Sequence, residues 1–226
     1  MKWTKEKVAA TIDHAALRAN MTEADIVKAC AIGRKHAVAT VCVRPTDVPA
    51  AARELAGSPV RVSTVIGFPF GHHRPEVKAL EARLAIADGA AELDMVMNIG
   101  RFLSGDYALV EKDLAGVVAE AKPKGVKVKV ILETCYLSAE QIAKACELAR
   151  LAGADFVKTS TGFGTGNATP EAVAIMLRTV GAHMQVKASG GIKDYAAAVA
   201  FLEQGASRLG TSGTEAIVEG GRTAGY

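Results

Sequence analysis

Two lysines stand where a cation is costly. In FVKTSTGFGTGN (156–167) the apolar pair Phe156-Val157 runs into Lys158, and in QVKASGG (185–191) Val186 runs into Lys187. A buried ammonium is unfavourable unless it is paired or neutral. Hydroxyls and glycines follow each lysine: Thr159, Ser160, Thr161 and Gly162 after the first, Ser189, Gly190 and Gly191 after the second. A lysine attacks a carbonyl only as the neutral amine, and burial or a nearby cation can bring its pKa from about 10.4 toward about 7–8. Two inward lysines on adjacent strands can divide that labour, one forming a Schiff base and the other holding the amine's pKa down. The spacing does not say which does which. The plainer alternative is two end-of-strand lysines that reach back to water. Their pairing, each with small polar residues behind it, weighs against it.

Asp94 interrupts the apolar run of ELDMV (92–96). A buried carboxylate has a partner as a rule, so Asp94 is expected to pair with a lysine such as Lys129, to move protons beside an imine, or both. Lys129 ranks lower, as an ionic partner of Asp94 or Glu133. Asp13, Cys42, Asn98 and Ser212 are further polar residues at strand ends. Cys42 is expected to be a core residue. SGG (189–191) and GTSG (210–213) are glycine-rich turns after late strands, where backbone N–H groups approach phosphate oxygens. GFGTGN has Asn167 where a dinucleotide fingerprint needs its last glycine, and it follows a late strand, so nucleotide binding is not expected. His72-His73 is a vicinal pair with no third ligand at metal spacing, which reads as a solvated loop.

These residues need elements to hold them. Strand-like runs lie at 11–14, 39–43, 61–67, 92–98, 126–133, 155–159, 185–189 and 207–210. Helix-periodic runs lie near 4–10, 22–35, 45–56, 74–88, 105–121, 138–151, 169–180, 194–203 and 212–219. Strands separated by helices imply parallel βαβ units. Eight such strands predict a single-domain (β/α)8 barrel over 1–226 with a short N-terminal helix, and the glycine-rich 220–226 is expected to be a mobile tail. An open doubly wound sheet is the alternative, but polar residues mark many strand ends rather than one switch point. Only 5% of residues are aromatic against 50% hydrophobic, so small aliphatics must fill the interior. A net charge of +3 argues against a dedicated nucleic-acid binder. No run is long and apolar enough for a membrane span or a leader. Four scattered cysteines with no CxxC suit free thiols in a reducing cytoplasm.

The motifs TIDHAAL, TVCVRP, STVIGFPFG, ELDMVMNIG, KVILET, FVKTSTGF, VKASGGI and RLGTSG, in this order, resemble the deoxyribose-phosphate aldolase family, class I aldolases of the DeoC type. FVKTSTGF together with KASGGI carries most of the likeness. The resemblance implies a TIM barrel that reversibly cleaves 2-deoxy-D-ribose 5-phosphate to acetaldehyde and D-glyceraldehyde 3-phosphate, with no metal or other cofactor and an assembly that varies among members. It implies Lys158 as the Schiff-base lysine, Lys187 as its pKa-lowering partner and Asp94 as the proton-transfer carboxylate. Phosphate would rest on Gly162, Gly190, Gly191, Gly210, Ser212 and Gly213, and Tyr226 would be a proton-transferring tail residue. The break is expected at the C3–C4 bond of the sugar. Three positions depart from the family pattern: Ala15 in place of a threonine, Arg44 before Pro45, and Gly213 in place of a second serine. Outside the family, a phosphosugar isomerase and a non-catalytic phosphate-ligand binder are the competing functions.

Overall fold

A computed structural model describes residues 2–223. Eight parallel strands close on themselves: β1 Ile12–Ala16, β2 Thr40–Val43, β3 Arg61–Ile66, β4 Glu92–Val96, β5 Lys127–Ile131, β6 Phe156–Lys158, β7 Gln185–Ser189 and β8 Arg208–Thr211. The pairs Asp13↔Gly210 and His14↔Thr211 join β1 to β8 and complete the barrel. The helices are α1 Lys5–Ala9, α2 Glu23–His36, α3 Val48–Glu54, α4 Pro75–Ala87, α5 Ile99–Leu103, α6 Tyr107–Ala121, α7 Ala139–Leu151, α8 Pro170–Val180, α9 Tyr195–Gln204 and α10 Thr214–Glu219. The closed TIM-type barrel and the short leading helix are as the sequence predicts.

Local chemistry sets the helix starts. Thr22 and Asp25 form a reciprocal capping box on α2, and Ser138 and Gln141 do the same on α7. Thr169 caps α8, with Pro170 at the first helical position, where its missing N–H costs nothing. Two segments differ from the sequence reading. The helix expected over 45–56 is a 3₁₀ turn, Pro45–Asp47, followed by α3, because prolines at 45 and 49 divide the run. Strand 92–98 ends at Val96, and Asn98 instead caps the additional short helix α5 by accepting from the Arg101 N–H at 3.2 Å.

Strand alternation sorts the chain into two interiors. Outward residues such as Val41, Leu93, Met95, Val130, Val157, Val186 and Leu209 are buried in one apolar layer with Ile26, Leu114, Cys146, Val173 and Met176 of the helices. Inside the barrel the layers are charged instead: Asp13, Glu92, Asp94, Lys129 and Lys187 are all at most 1% exposed. The register sets them side by side, with Asp94 opposite Lys129 and Lys158 opposite Lys187.

Candidate active site

Lys158 ends β6 and Lys187 lies mid-strand on β7; both point into the barrel and both donate to one oxygen, Asp94 Oδ2, at 2.8 and 2.7 Å. The other Asp94 oxygen accepts from Lys129 at 2.7 Å. The ionic set extends toward the start of the strands. Lys187 also bonds Asp13, Lys129 pairs with Glu92 at 2.7 Å, and Arg208 spans Asp13 at 2.6 Å and Glu92 at 2.9 Å. Arg61 closes the set on Glu92 at 2.7 Å from a half-exposed position.

The buried members are three carboxylates facing three lysines and Arg208, so one cation is in excess. The geometry says which is worst compensated. Lys129 lies within ion-pair distance of three carboxylates and Lys187 of two, but Lys158 touches only Asp94. Burial is the largest influence on Lys158 and pulls its pKa below the ordinary lysine value; Asp94 opposes this and the Lys187 charge adds to it. Lys187 is equally buried, yet Asp13 and then Asp94 outweigh burial and hold it above the ordinary value. Lys129 is raised likewise by Asp13, Asp94 and Glu92. Asp94 pays the cost of burial but is held well below the usual carboxylate range by Lys129, Lys158 and Lys187. The arrangement supplies one amine that gives up its proton easily beside a cation that does not.

Polar groups continue past Lys158. Thr159 Oγ1 donates to Ser189 O at 3.1 Å and accepts from the Ser189 N–H at 3.0 Å, which ties β6 to β7. The buried Ser160 Oγ has no hydrogen-bond partner among the described residues. Cys42 belongs to a small apolar cluster with Leu17 and Val65, as a core residue should; burial pushes its thiol up, and the charges of Asp94, Lys187 and Lys158 reach it. Glu133 is no partner of Lys129. Its carboxylate accepts from the Thr161 N–H and hydroxyl instead.

The glycine-rich loops meet at the same end of the barrel. The Gly190 N–H lies 3.4 Å from Gly210 O, and Asn167, the residue that spoils the dinucleotide pattern, packs on Gly190 and Gly191. Gly210 is required by close approach: a Cβ there would stand 2.3 Å from Ser189 Oγ and 3.1 Å from Lys187 Cε. Gly162 follows Thr161 on the β6–α8 loop, and Ser212 and Gly213 lead into α10. After α10 the chain returns to this face. The Thr223 N–H donates to Lys193 O at 2.9 Å, and the Thr223 side chain fills the space a Cβ at Gly213 would take. Tyr226 lies outside the described residues.

A groove of about 740 Å³ surrounds Lys127, Asp155 and Gln185 at the starts of the strands, away from the paired amines. Among the loops that follow β3, β5 and β6 lies a cavity of about 200 Å³ lined by Phe70, Glu133, Thr161 and Phe163; Thr161, three residues past Lys158, ties it to the lysine end. His72 stacks on Phe70 and meets His73 edge-on, both exposed. Among the described residues, the one group able to gather around a metal is His36, Glu215 and Glu219, where Lys35 Nζ already sits 3.5 and 2.8 Å from the two carboxylates.

Sequence reasoning missed Glu92 and Arg208 and gave Asp13 no role. The signal was present: Glu92 lies two residues before Asp94, and Arg208 two before Gly210, so each shares an inward face with a residue already singled out.

The chain resembles known proteins over nearly its whole length. Residues 7–216 match the DeoC/LacD family aldolase profile. The chain is 52% identical over 216 residues to the deoxyribose-phosphate aldolase of Geobacillus sp. (strain WCH70), covering 96% of each. It is also 52% identical to that of Thermococcus gammatolerans, covering 96% of this chain and 97% of the relative. The tetrameric deoxyribose phosphate aldolase of Aeropyrum pernix superposes with a TM-score of 0.87 at 33% identity, covering 96% of this chain and 91% of that one. With the family profile spanning nearly all of the barrel, the chain belongs to the DeoC/LacD family of aldolases.

Proposed function

We propose that this aldolase reversibly cleaves 2-deoxy-D-ribose 5-phosphate to acetaldehyde and D-glyceraldehyde 3-phosphate through an imine on Lys158. The observation that carries the assignment is the partner count inside the barrel: Lys158 is the buried amine with a single carboxylate, next to a lysine held charged by two. The neutral Lys158 amine adds to C1 of the open-chain sugar, and loss of water gives an iminium. Carbon counting corrects the expected break. Acetaldehyde is C1 and C2 and the phosphorylated product is C3 to C5, so the C2–C3 bond breaks, not C3–C4. Its electron pair flows into the iminium to give an enamine, while the C3 hydroxyl loses its proton as C3 becomes the new aldehyde. Protonation at C2 and hydrolysis then release acetaldehyde and regenerate the amine.

Asp94 alone is a weak base, because three ammoniums hold it deprotonated. The proton carrier is therefore the Asp94–Lys187 unit working through water, with Lys187 also keeping Lys158 neutral. Gly162, Gly190, Gly191, Gly210, Ser212 and Gly213 form the phosphate's seat on three adjoining loops, where the Gly190 and Gly213 N–H groups now donate to Gly210 O and Thr211 Oγ1 and would have to turn to the phosphate. Tyr226 belongs to the proposal as a proton-transfer residue on the tail. A homo-oligomer is part of it too: the Aeropyrum pernix relative is tetrameric, and Val77, Leu80 and Leu84 form an apolar stripe on α4, each about half exposed. Cys30, Cys42, Cys135 and Cys146 form no disulfide, which suits a reducing cytoplasm; no helix among the described residues is long and apolar enough to cross a membrane.

Borohydride reduction in the presence of deoxyribose 5-phosphate, followed by peptide mass spectrometry, tests the reading. A mass increment on Lys158 is expected, and a weaker one with unphosphorylated deoxyribose. An adduct on Lys187, or none while cleavage proceeds, would sink it.

A further inference from the structure

Glu133 is a buried titratable group that the cleavage chemistry leaves unused. It follows β5, is 2% exposed, and its backbone sits at φ 55°, where a residue other than glycine is uncommon. The Thr161 N–H donates to its two oxygens at 3.1 and 3.3 Å, and the Thr161 hydroxyl makes a short bond to Oε2. Thr161 Oγ1 in turn accepts from the Phe163 N–H at 3.0 Å. Gly164 packs on the same carboxylate, close enough that a Cβ would lie 3.0–3.3 Å from its atoms. One side chain from β5 thus holds three residues of the loop that begins just beyond Lys158. Burial pushes the Glu133 carboxyl up, while the two Thr161 bonds and the Lys158 charge oppose it.

The pattern has a direction. A threonine hydroxyl has one proton and two lone pairs. Here the proton goes to Glu133 and one lone pair to the Phe163 N–H, so a single acceptor position is left on a threonine that, with Glu133, lines the 200 Å³ cavity. We propose that Glu133 is a positioning residue of the aldolase site, one that fixes the β6–α8 loop and presents the Thr161 hydroxyl to the substrate as an acceptor for a sugar hydroxyl. This rests on the reading of Lys158 as the imine lysine.

Two readouts separate this role from simple structural support. Acetaldehyde is small enough to need only the amine, so reductive trapping of acetaldehyde reports on Lys158. The KM and kcat for deoxyribose 5-phosphate cleavage report on the loop. In Glu133→Ala, trapping should stay within about twofold of the unsubstituted protein while KM rises about tenfold, the scale of one lost hydrogen bond between neutral groups. Glu133→Gln keeps an oxygen for the Thr161 N–H but sets an amide N–H₂ against the hydroxyl, so it should fall between. Gly164→Ala pushes on the carboxylate without removing it, and should raise KM in the same direction even where Glu133→Ala fails to fold. Unchanged KM in the Gln and Gly164 variants overturns the assignment. So does loss of acetaldehyde trapping as complete as the loss of cleavage, which would make Glu133 a support for the amine or the fold. Absence of an adduct in the unsubstituted protein instead sinks the imine reading.

Discussion

Replacing Lys187 with methionine isolates the electrostatic argument. The side chain keeps its reach and loses its charge. Lys158 and Lys187 Nζ lie 2.8 and 2.7 Å from the same oxygen, so they are no more than about 5.5 Å apart. At an effective dielectric near 20, two like charges at about 5 Å repel by about 3 kcal/mol. That is about two pKa units, or about a hundredfold less neutral amine wherever the pH lies below the Lys158 pKa. No carboxylate is orphaned by the change: Asp13 keeps Arg208 at 2.6 Å, and Asp94 keeps Lys129 and Lys158. Losing Lys187 also strengthens the hold of Asp94 on Lys158, which pushes the same way. The assay is the rate of reductive trapping by acetaldehyde from about pH 5 to about pH 10. The midpoint of the rise should move up by about two units, with the rate recovered at the alkaline end. A midpoint that stays in place or moves down would refute the reasoning; a rate lost at every pH would mean that Lys187 serves the imine chemistry directly.

His14 is buried against Thr214 Oγ1 at 2.8 Å, and burial depresses its pKa to about 4. Its neutral form is the folded form, so it contributes no penalty above the unfolded pKa of about 6.5 and stability falls as pH drops from there through 4. Urea midpoints at several pH values should show this decline, and His14→Gln should flatten it. Lys78 and Asp113 form a fully buried pair between α4 and α6, with Lys78 also donating to Val96 O at 2.8 Å. Lys78→Met leaves Asp113 uncompensated and should cost about 3–5 kcal/mol in chemical denaturation, most of it recovered in Lys78→Met/Asp113→Leu; equal losses in both would contradict a charge-burial origin. Gly213→Ser places a Cβ 2.3 Å from Thr223 Cγ2, so the returning chain must move. Faster amide exchange at Thr223, which donates to Lys193 O, is expected, and unchanged exchange would show that the loop yields instead.

The barrel was legible because its elements carry their own punctuation: capping boxes at Thr22 and Ser138, Thr169 before Pro170, and glycines after helices. The two inward lysines were legible from one odd feature, a cation at the end of an apolar run. The division of labour between them was not, since both sit in the same kind of sequence. It depends on how many carboxylates each reaches, and those come from β1 and β4, far away in the chain. Asp13 and Arg208 are 195 residues apart and meet only because β1 closes on β8. Of the two partners expected for Lys129, Asp94 meets it at 2.7 Å, and Glu133 does not, for a similar reason. Its left-handed backbone turns the carboxylate to the β6 loop, and a strand-alternation argument assumes extended backbone up to that point.

Many barrels of this architecture fill their centre with branched aliphatic side chains. Here the centre is an electrolyte with one cation in excess, three carboxylates set among three lysines and an arginine. Losing Asp94 strands the Lys158 ammonium in a dry interior, a loss of several kcal/mol in a fold whose whole stability is about 5–15 kcal/mol, whereas losing any one lysine leaves every carboxylate with a cation. A lineage of such chains is therefore bound more tightly to its inner carboxylates than to any one of its lysines. It can vary the loops above the charges, and so the molecules it acts on, far more cheaply than it can vary the charges themselves.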